Sequence, residues 1–181
     1  MAASAEAAGR PGLVALVCED FERHDRELGA PGFQALAVYR LGRHARGRGG
    51  ASGTFLRRVH RLLYVFVRNV YGIELPPGAE IGRRMHIGRE HGVIFNAKTR
   101  FGDDCTISHN VTTAIGVVGK DSVPTFGDRV TLGPNTVVVG AVHVGDDACI
   151  GPNSLVMSDV PPGAQVVASP TRVLHLNRIA R

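Results

Sequence analysis

From Phe126 to Val160, large apolar residues return every six positions. Phe126, Leu132, Val138, Val144, Ile150 and Val156 each open a hexad, and Gly follows in four of the six. The fifth position is small or aliphatic: Val130, Thr136, Val142, Ala148, Ser154 and Val160. A period of six fits neither an amphipathic helix nor an alternating strand. It is the repeat of a parallel β-helix, in which each hexad is one short strand and one corner. Three hexads close one triangular coil. The large residues fill the interior and the small ones fit beside them. Gly, Asn and Asp supply corners whose backbone angles disfavour other residues. The pattern predicts a mainly β fold.

The rhythm starts earlier in the chain. Ile81 and Ile87 open hexads (IGRRMH, IGREHG), and Val93 opens a third. Thr99 fits poorly, and the register restarts two residues late at Phe101 and Ile107 (FGDDCT, ISHNVT). The stretch TTAIGVVGKDSVPT interrupts the repeat before Phe126 restores it. Strict repeats on both sides make this break a loop thrown out from a coil, and loops on rigid scaffolds commonly carry sites. After Val160, PPGAQVVASPTRVL closes the last coil.

Ahead of the repeats the apolar period is helical. Residues 13–29 place Leu13, Leu16, Val17, Phe21 and Leu28 near one face, with Gly29 as the stop. Pro31 and Gly32 open a second helix that ends in GRGGASG. Ser52 is the expected cap of a third, over residues 54–71, with a broad stripe of Phe55, Val59, Leu62, Leu63, Phe66, Val67 and Val70. With Arg57, Arg58, Arg61 and Arg68, such a stripe suits an anionic membrane surface. More often it packs on its own domain or a sister subunit, so no membrane partner is expected. Gly72 ends the helical part. The predicted organisation is a tail over 1–12, a helical region over 13–72, the β-helix over 73–170 and a tail over 171–181.

Composition narrows the classes. The chain has 181 residues and is 44% apolar, enough for one cored domain with a small appendage. No run of about 18 apolar residues predicts a spanning helix, and the N-terminus lacks an apolar signal core. Three widely spaced cysteines point to reduced thiols and a cytoplasmic setting, with no metal cluster. The net charge is +5. Residues 1–72 hold 11 Arg against 6 Asp and Glu, whereas the rest of the chain is balanced at 10 against 10. No nucleic-acid motif accompanies the charge, so nucleic acid is not an expected partner.

The lead-in GIELPPGAEIG, the hexads, ISHNVT, the loop and the closing VPPGAQVVASPTRVL together resemble serine acetyltransferase and its relatives. The element YRLGR (Tyr39 to Arg43) belongs to the same resemblance. It implies a left-handed β-helix, assembly as trimers or dimers of trimers, with a homotrimer favoured by the short helical region, and acetyl-CoA or another acyl-CoA held between subunits. It also implies acyl transfer to a hydroxyl or amine of a small polar acceptor. The family's main catalytic His stands third in the second hexad, in an Asp-His-x-x-Gly context. Here that hexad is IGREHG, so the Asp is Gly88, the His is Arg89 and the Gly is Gly92. The family's Arg-His pair before a loop Pro becomes Ser122 and Val123 before Pro124, and its supporting Asp becomes Glu74. An Arg stays protonated and cannot act as a His-type base. The family's cysteine synthase complex uses a tail ending in Ile; this chain ends in Ile179-Ala180-Arg181, so that complex is not expected.

Acyl transfer from a thioester needs a base at the acceptor's proton and donors for the oxyanion. His109 and His91 are the candidate bases. Counted from Ile87 and Ile107, Arg89 and His109 hold the same third position, which predicts one corner and a separation of one coil, about 5 Å. The same count puts His91 in a small, inward slot. Arg89 is the candidate anchor for an anionic acceptor group, with Glu74 nearby, although a plain surface Arg fits the position equally. His86 should face outwards, and His143 lies among the late coils. For CoA, the resemblance points to the turns Gly133-Pro134 and Gly151-Pro152, to Gly116 and Lys120 of the loop, and to Arg172 of SPTRV. The alternative is a β-helix that binds CoA or a partner protein without turnover.

Overall fold

The computed structural model describes residues 11–88, 91–116 and 122–169. Three helices come first: α1 (Leu13–Arg23), α2 (Pro31–Arg46) and α3 (Gly50–Tyr71). α1 ends well before Gly29, because Asp25 and Arg26 adopt φ of 55° and 58°. The Arg26 N–H turns back to the Phe21 carbonyl at 3.0 Å, which closes the helix there. Leu28 is left outside α1 and exposed. α3 starts at Gly50, with Gly49 at the cap and no side-chain cap, so Ser52 lies inside the helix and does not begin it. Gly72 ends α3 with φ 62°, the left-handed angle that Gly adopts without strain.

From Ile73 onwards the chain winds as a left-handed parallel β-helix with three faces. The first face stacks Glu80–Ile81, Arg100–Phe101, Thr125–Phe126 and His143–Val144. The second stacks His86–Ile87, Thr106–Ile107, Thr131–Leu132, Cys149–Ile150 and Gln165–Val166. The third stacks Thr112–Ala114, Val137–Val139 and Leu155–Val156, and single bridges extend it through Ile94 to Glu74. Each hexad's first residue points inwards: Ile107, Leu132, Val138, Val144 and Ile150 are fully buried. Phe101 and Phe126 stack on successive coils with ring centroids 4.3 Å apart, and Phe95, one hexad earlier on the neighbouring face, packs tilted on Phe101 at 4.5 Å. Cys105 fills a small slot, where burial pushes its thiol up to about 11.

The hydrogen-bond register locates the slip in the repeat. Ile87 pairs with Ile107, but Ile94 pairs with Thr112. The two extra residues therefore lie between Ile87 and Ile94, not at Thr99. Phe95, rather than Val93, opens the third hexad, and Phe101 and Ile107 follow in step. Thr99 takes the small slot. It is fully buried, with its hydroxyl 3.0 Å from that of Thr113. The coil that carries the loop spans 25 residues, the next repeats at 18, and the last closes in 16.

The helices close the upper edge of the coils, whose unpaired backbone groups would otherwise be open to other strands. The Tyr39 hydroxyl donates to the Ala79 carbonyl (2.7 Å) and accepts from the Ile81 N–H (3.1 Å). Arg40 donates to the carbonyls of Ile81 (2.8 Å) and Gly82 (2.6 Å) and to Asp20 (2.8 Å). Burial pushes the Asp20 carboxyl up, while its Arg40 hydrogen bonds pull it back. His24 Nδ1–H donates to the Asp20 carbonyl at 2.6 Å, leaving Nε2 to accept the Ile87 N–H at 3.1 Å. Gly32 lets α2 lie flush on this edge, since a Cβ there would strike the Ile87 carbonyl.

Candidate active site

The slip falls at the corner between the second and third faces. Gly88 donates its N–H to the Ile107 carbonyl (2.9 Å), and the Asn110 N–H donates to the His91 carbonyl (3.1 Å). Counting in from the described residues on both sides, His91 lies opposite His109. Arg89, which the hexad count set on the corner of His109, lies outside the described residues. Nor does His91 occupy an inward slot. Val93 is fully buried in that place, and His91 is exposed.

The same corner continues down the molecule. The Asn135 N–H donates to the His109 carbonyl (3.0 Å), and the Asn153 N–H donates to the Pro134 carbonyl (2.9 Å). His91, His109, Pro134 and Pro152 therefore form one column on successive coils, each about 4.8 Å from the next. Gly133 and Gly151 precede the two prolines, and each donates its N–H to the coil below, at 2.8 Å. Beside the histidine–proline column runs a second one: Gly92, Asn110, Asn135 and Asn153. The three Asn residues have φ of 54°, 58° and 57°, and Gly92 has 86°. Their side chains form a ladder, with Asn110 Nδ2 to Asn135 Oδ1 and Asn135 Nδ2 to Asn153 Oδ1 both 3.0 Å. Gly92 has no side chain to continue the ladder, and a Cβ there would strike the Asn110 side chain.

Around the top of the column stand Tyr71 and Glu74. The Tyr71 carbonyl accepts the Gly92 N–H (3.3 Å), and the Tyr71 ring meets His91 edge-on at 6.0 Å between centroids. The Tyr71 hydroxyl donates to Gln34 Oε1 at 2.7 Å, which fixes the ring to α2. Glu74 is half-buried, and its N–H donates to the Val93 carbonyl at 2.7 Å. Its charge, after burial, helps to push the Tyr64 hydroxyl up. Tyr71 and the Asn ladder were missed in the sequence. The Asn ladder had a signal, since Asn110, Asn135 and Asn153 are each fourth in their hexads. Tyr71 had none beyond its place before Gly72.

The other predicted residues fall elsewhere. Gly116 donates its N–H to the Ser122 carbonyl (3.2 Å) at the base of the loop, on the corner between the third and first faces. It does not meet the histidine column within one subunit. Val123 lines a cleft of about 390 Å³ with Lys98 and Arg100 at that corner. Lys120 and Arg172 lie outside the described residues. His86 is half-buried and stacks on His24 at 4.8 Å rather than facing outwards freely. Among the described residues, no group of three or more His, Cys, Asp or Glu is arranged to hold a metal ion.

Two histidines on adjacent coils thus stand above two glycine-proline turns on one corner. Comparison with known proteins gives the chain a family. The model for bacterial transferase hexapeptide (six repeats) matches residues 124–157. Serine acetyltransferase of Helicobacter pylori strain 26695 is 39% identical over 154 residues, covering 82% of this chain and 84% of that protein. The chain belongs to the serine acetyltransferase family. Its Mycobacterium tuberculosis relative is 38% identical over 145 residues, or 80% of this chain, but the match spans only 61% of that longer protein. Brucella abortus serine acetyltransferase, solved with coenzyme A, shares the fold with a TM-score of 0.74 at 20% identity. That likeness covers 90% of this chain and 68% of the other.

Proposed function

We propose that the protein is an acyltransferase that moves an acetyl or other acyl group from CoA to a hydroxyl or amine of a small polar acceptor. One observation carries the reading: the register stacks His91 and His109 on the corner whose lower coils present Gly133-Pro134 and Gly151-Pro152. The CoA of the Brucella relative, together with these turns of small residues and proline, supports a donor laid along the lower part of the column. His91 and His109 then stand at its upper end, where the thioester carbon meets the acceptor. One imidazole takes the acceptor proton as its oxygen or nitrogen attacks, and the same proton leaves with the CoA thiol. Glu74 offers a carboxylate to a cationic acceptor, and Arg89 an anchor for an anionic one. Lys120 and Arg172 are the proposed CoA phosphate contacts.

The working unit is a homotrimer in the cytoplasm. The third face carries an outward apolar row, with Ile94, Leu155 and Met157 at 42%, 64% and 68% exposure. A second copy covers that row and brings its own loop, with Gly116, to the histidine column of its neighbour. The test is release of CoA thiol from acetyl-CoA against a panel of amino acids, amines and sugars. Acceptor-dependent release supports the proposal. Thermal stabilisation by acetyl-CoA with no release on any acceptor favours a CoA-binding protein without turnover, the reading that the replacement of the family His by Arg89 suggests.

A further inference from the structure

α3 leaves a large apolar surface uncovered. Phe55, Leu62, Phe66 and Val70 recur on successive turns and are 66%, 74%, 53% and 49% exposed. The sequence led to the expectation that this stripe packs on its own domain or on a sister subunit. Within the domain, α2 covers a different side of α3, where Gly53 and Val67 are buried and Tyr64 is half-buried. Going round the helix at 100° per residue, the α2 contact is followed by a flank of Arg57, Arg68, Arg61 and Arg58, and then by the stripe. All four of these Arg residues are exposed. Residues 28–73 hold eight Arg and no Asp or Glu.

We propose that α3 is a membrane-surface helix that docks the protein on anionic lipid. An apolar stripe bordered by arginines, on a helix with no acidic residue, is the layout of a helix lying in the headgroup plane. No helix among the described residues is long and apolar enough to cross the bilayer, so α3 lies on the surface. Charge decides between lipid and a second copy of α3. A facing α3, running in either direction, offers this arginine flank no carboxylate, since residues 28–73 contain none. Lipid phosphates answer each guanidinium with paired hydrogen bonds. The inference stands on α3 alone and does not depend on the proposed acyl transfer. α3 ends at Tyr71, against His91, so docking sets the histidine column at the end of the docked helix.

The chain contains no Trp, so Leu62→Trp places a single reporter in the stripe. The full chain is floated with phosphatidylglycerol–phosphatidylcholine vesicles and with pure phosphatidylcholine vesicles. Expected are flotation on the anionic vesicles only, a blue shift of the tryptophan emission of the Leu62→Trp variant there, and release at high salt. Arg58→Gln and Arg61→Gln should each weaken partitioning about fivefold, and Phe66→Ser about tenfold. Circular dichroism should show all variants folded; if Phe66→Ser is not, the two Arg variants decide. No flotation on anionic vesicles overturns the proposal, as does equal binding to both vesicle types. A doubled mass by light scattering that Phe66→Ser returns to the basal value, without flotation, gives the stripe to a second copy.

Discussion

His91 and His109 occupy facing positions on adjacent coils but different surroundings. His91 is exposed against the Tyr71 ring, and His109 is half-buried one coil below. If the two act as a unit on one proton, their replacements do not add. His91→Asn and His109→Asn should each lower acceptor-dependent turnover by at least about 10²-fold, and the double variant should be little worse than the poorer single. Losses that multiply would contradict the shared role. The place of His109 was legible in the sequence, because it falls two residues after Ile107 in the intact hexad ISHNVT. The place of His91 was not. A two-residue insertion shifts the hexad count without saying where it lies, and the misfit shows only when the count reaches Thr99. Hydrogen bonds across the coils, such as Gly88 to Ile107 and Asn110 to His91, bring the register back into step by His91.

At the scale of elements, the helices and the coils meet through a few buried polar groups. Arg40 is 4% exposed and answers both the Asp20 carboxylate and two carbonyls of the open edge. Arg40→Met leaves Asp20 buried without its partner and should cost about 3–5 kcal/mol in chemical denaturation. A loss below about 1 kcal/mol would mean that α1 and α2 rest on the coils without this tie. A second set of charges runs down the corner between the first and second faces. Arg84 pairs with Asp104 at 2.6 Å and Arg129 with Asp147 at 2.7 Å, and these hydrogen bonds hold both carboxyls below their ordinary 3.8. Because the folded values are depressed, the contribution is complete above pH 3.8 and is lost as pH falls through the lower folded values. The melting temperature should fall in that acid range, and less steeply in Arg84→Gln and Arg129→Gln. An unchanged acid slope in both variants would remove the ladder from the account. The three helices were legible from their apolar period, but their ends were not. Asp25 and Arg26 stop α1 through left-handed backbone angles that neither residue type signals.

For the molecule as a whole, the six-residue period was enough to give the β-helix, because an interior filled by one large residue per hexad leaves no other winding. The break before Phe126 likewise gave the loop. The surfaces were not legible in the same way. The period marks which residues point in, but not which outward residues a neighbour covers. Two apolar surfaces remain on the described chain, the third face and α3, and they make separate predictions. The third face should hold the trimer. Light scattering should give three times the 19.3 kDa chain mass, and Leu155→Asp with Met157→Asp should give monomers that keep the far-ultraviolet spectrum. A trimer that survives both changes would place the interface elsewhere. The most direct test of the account is CoA release from acetyl-CoA by the intact protein across the acceptor panel, run beside the His91→Asn/His109→Asn double variant. Acceptor-dependent release is expected, and the double variant should lose it while still gaining stability from acetyl-CoA. Release that the double variant retains in full would contradict it.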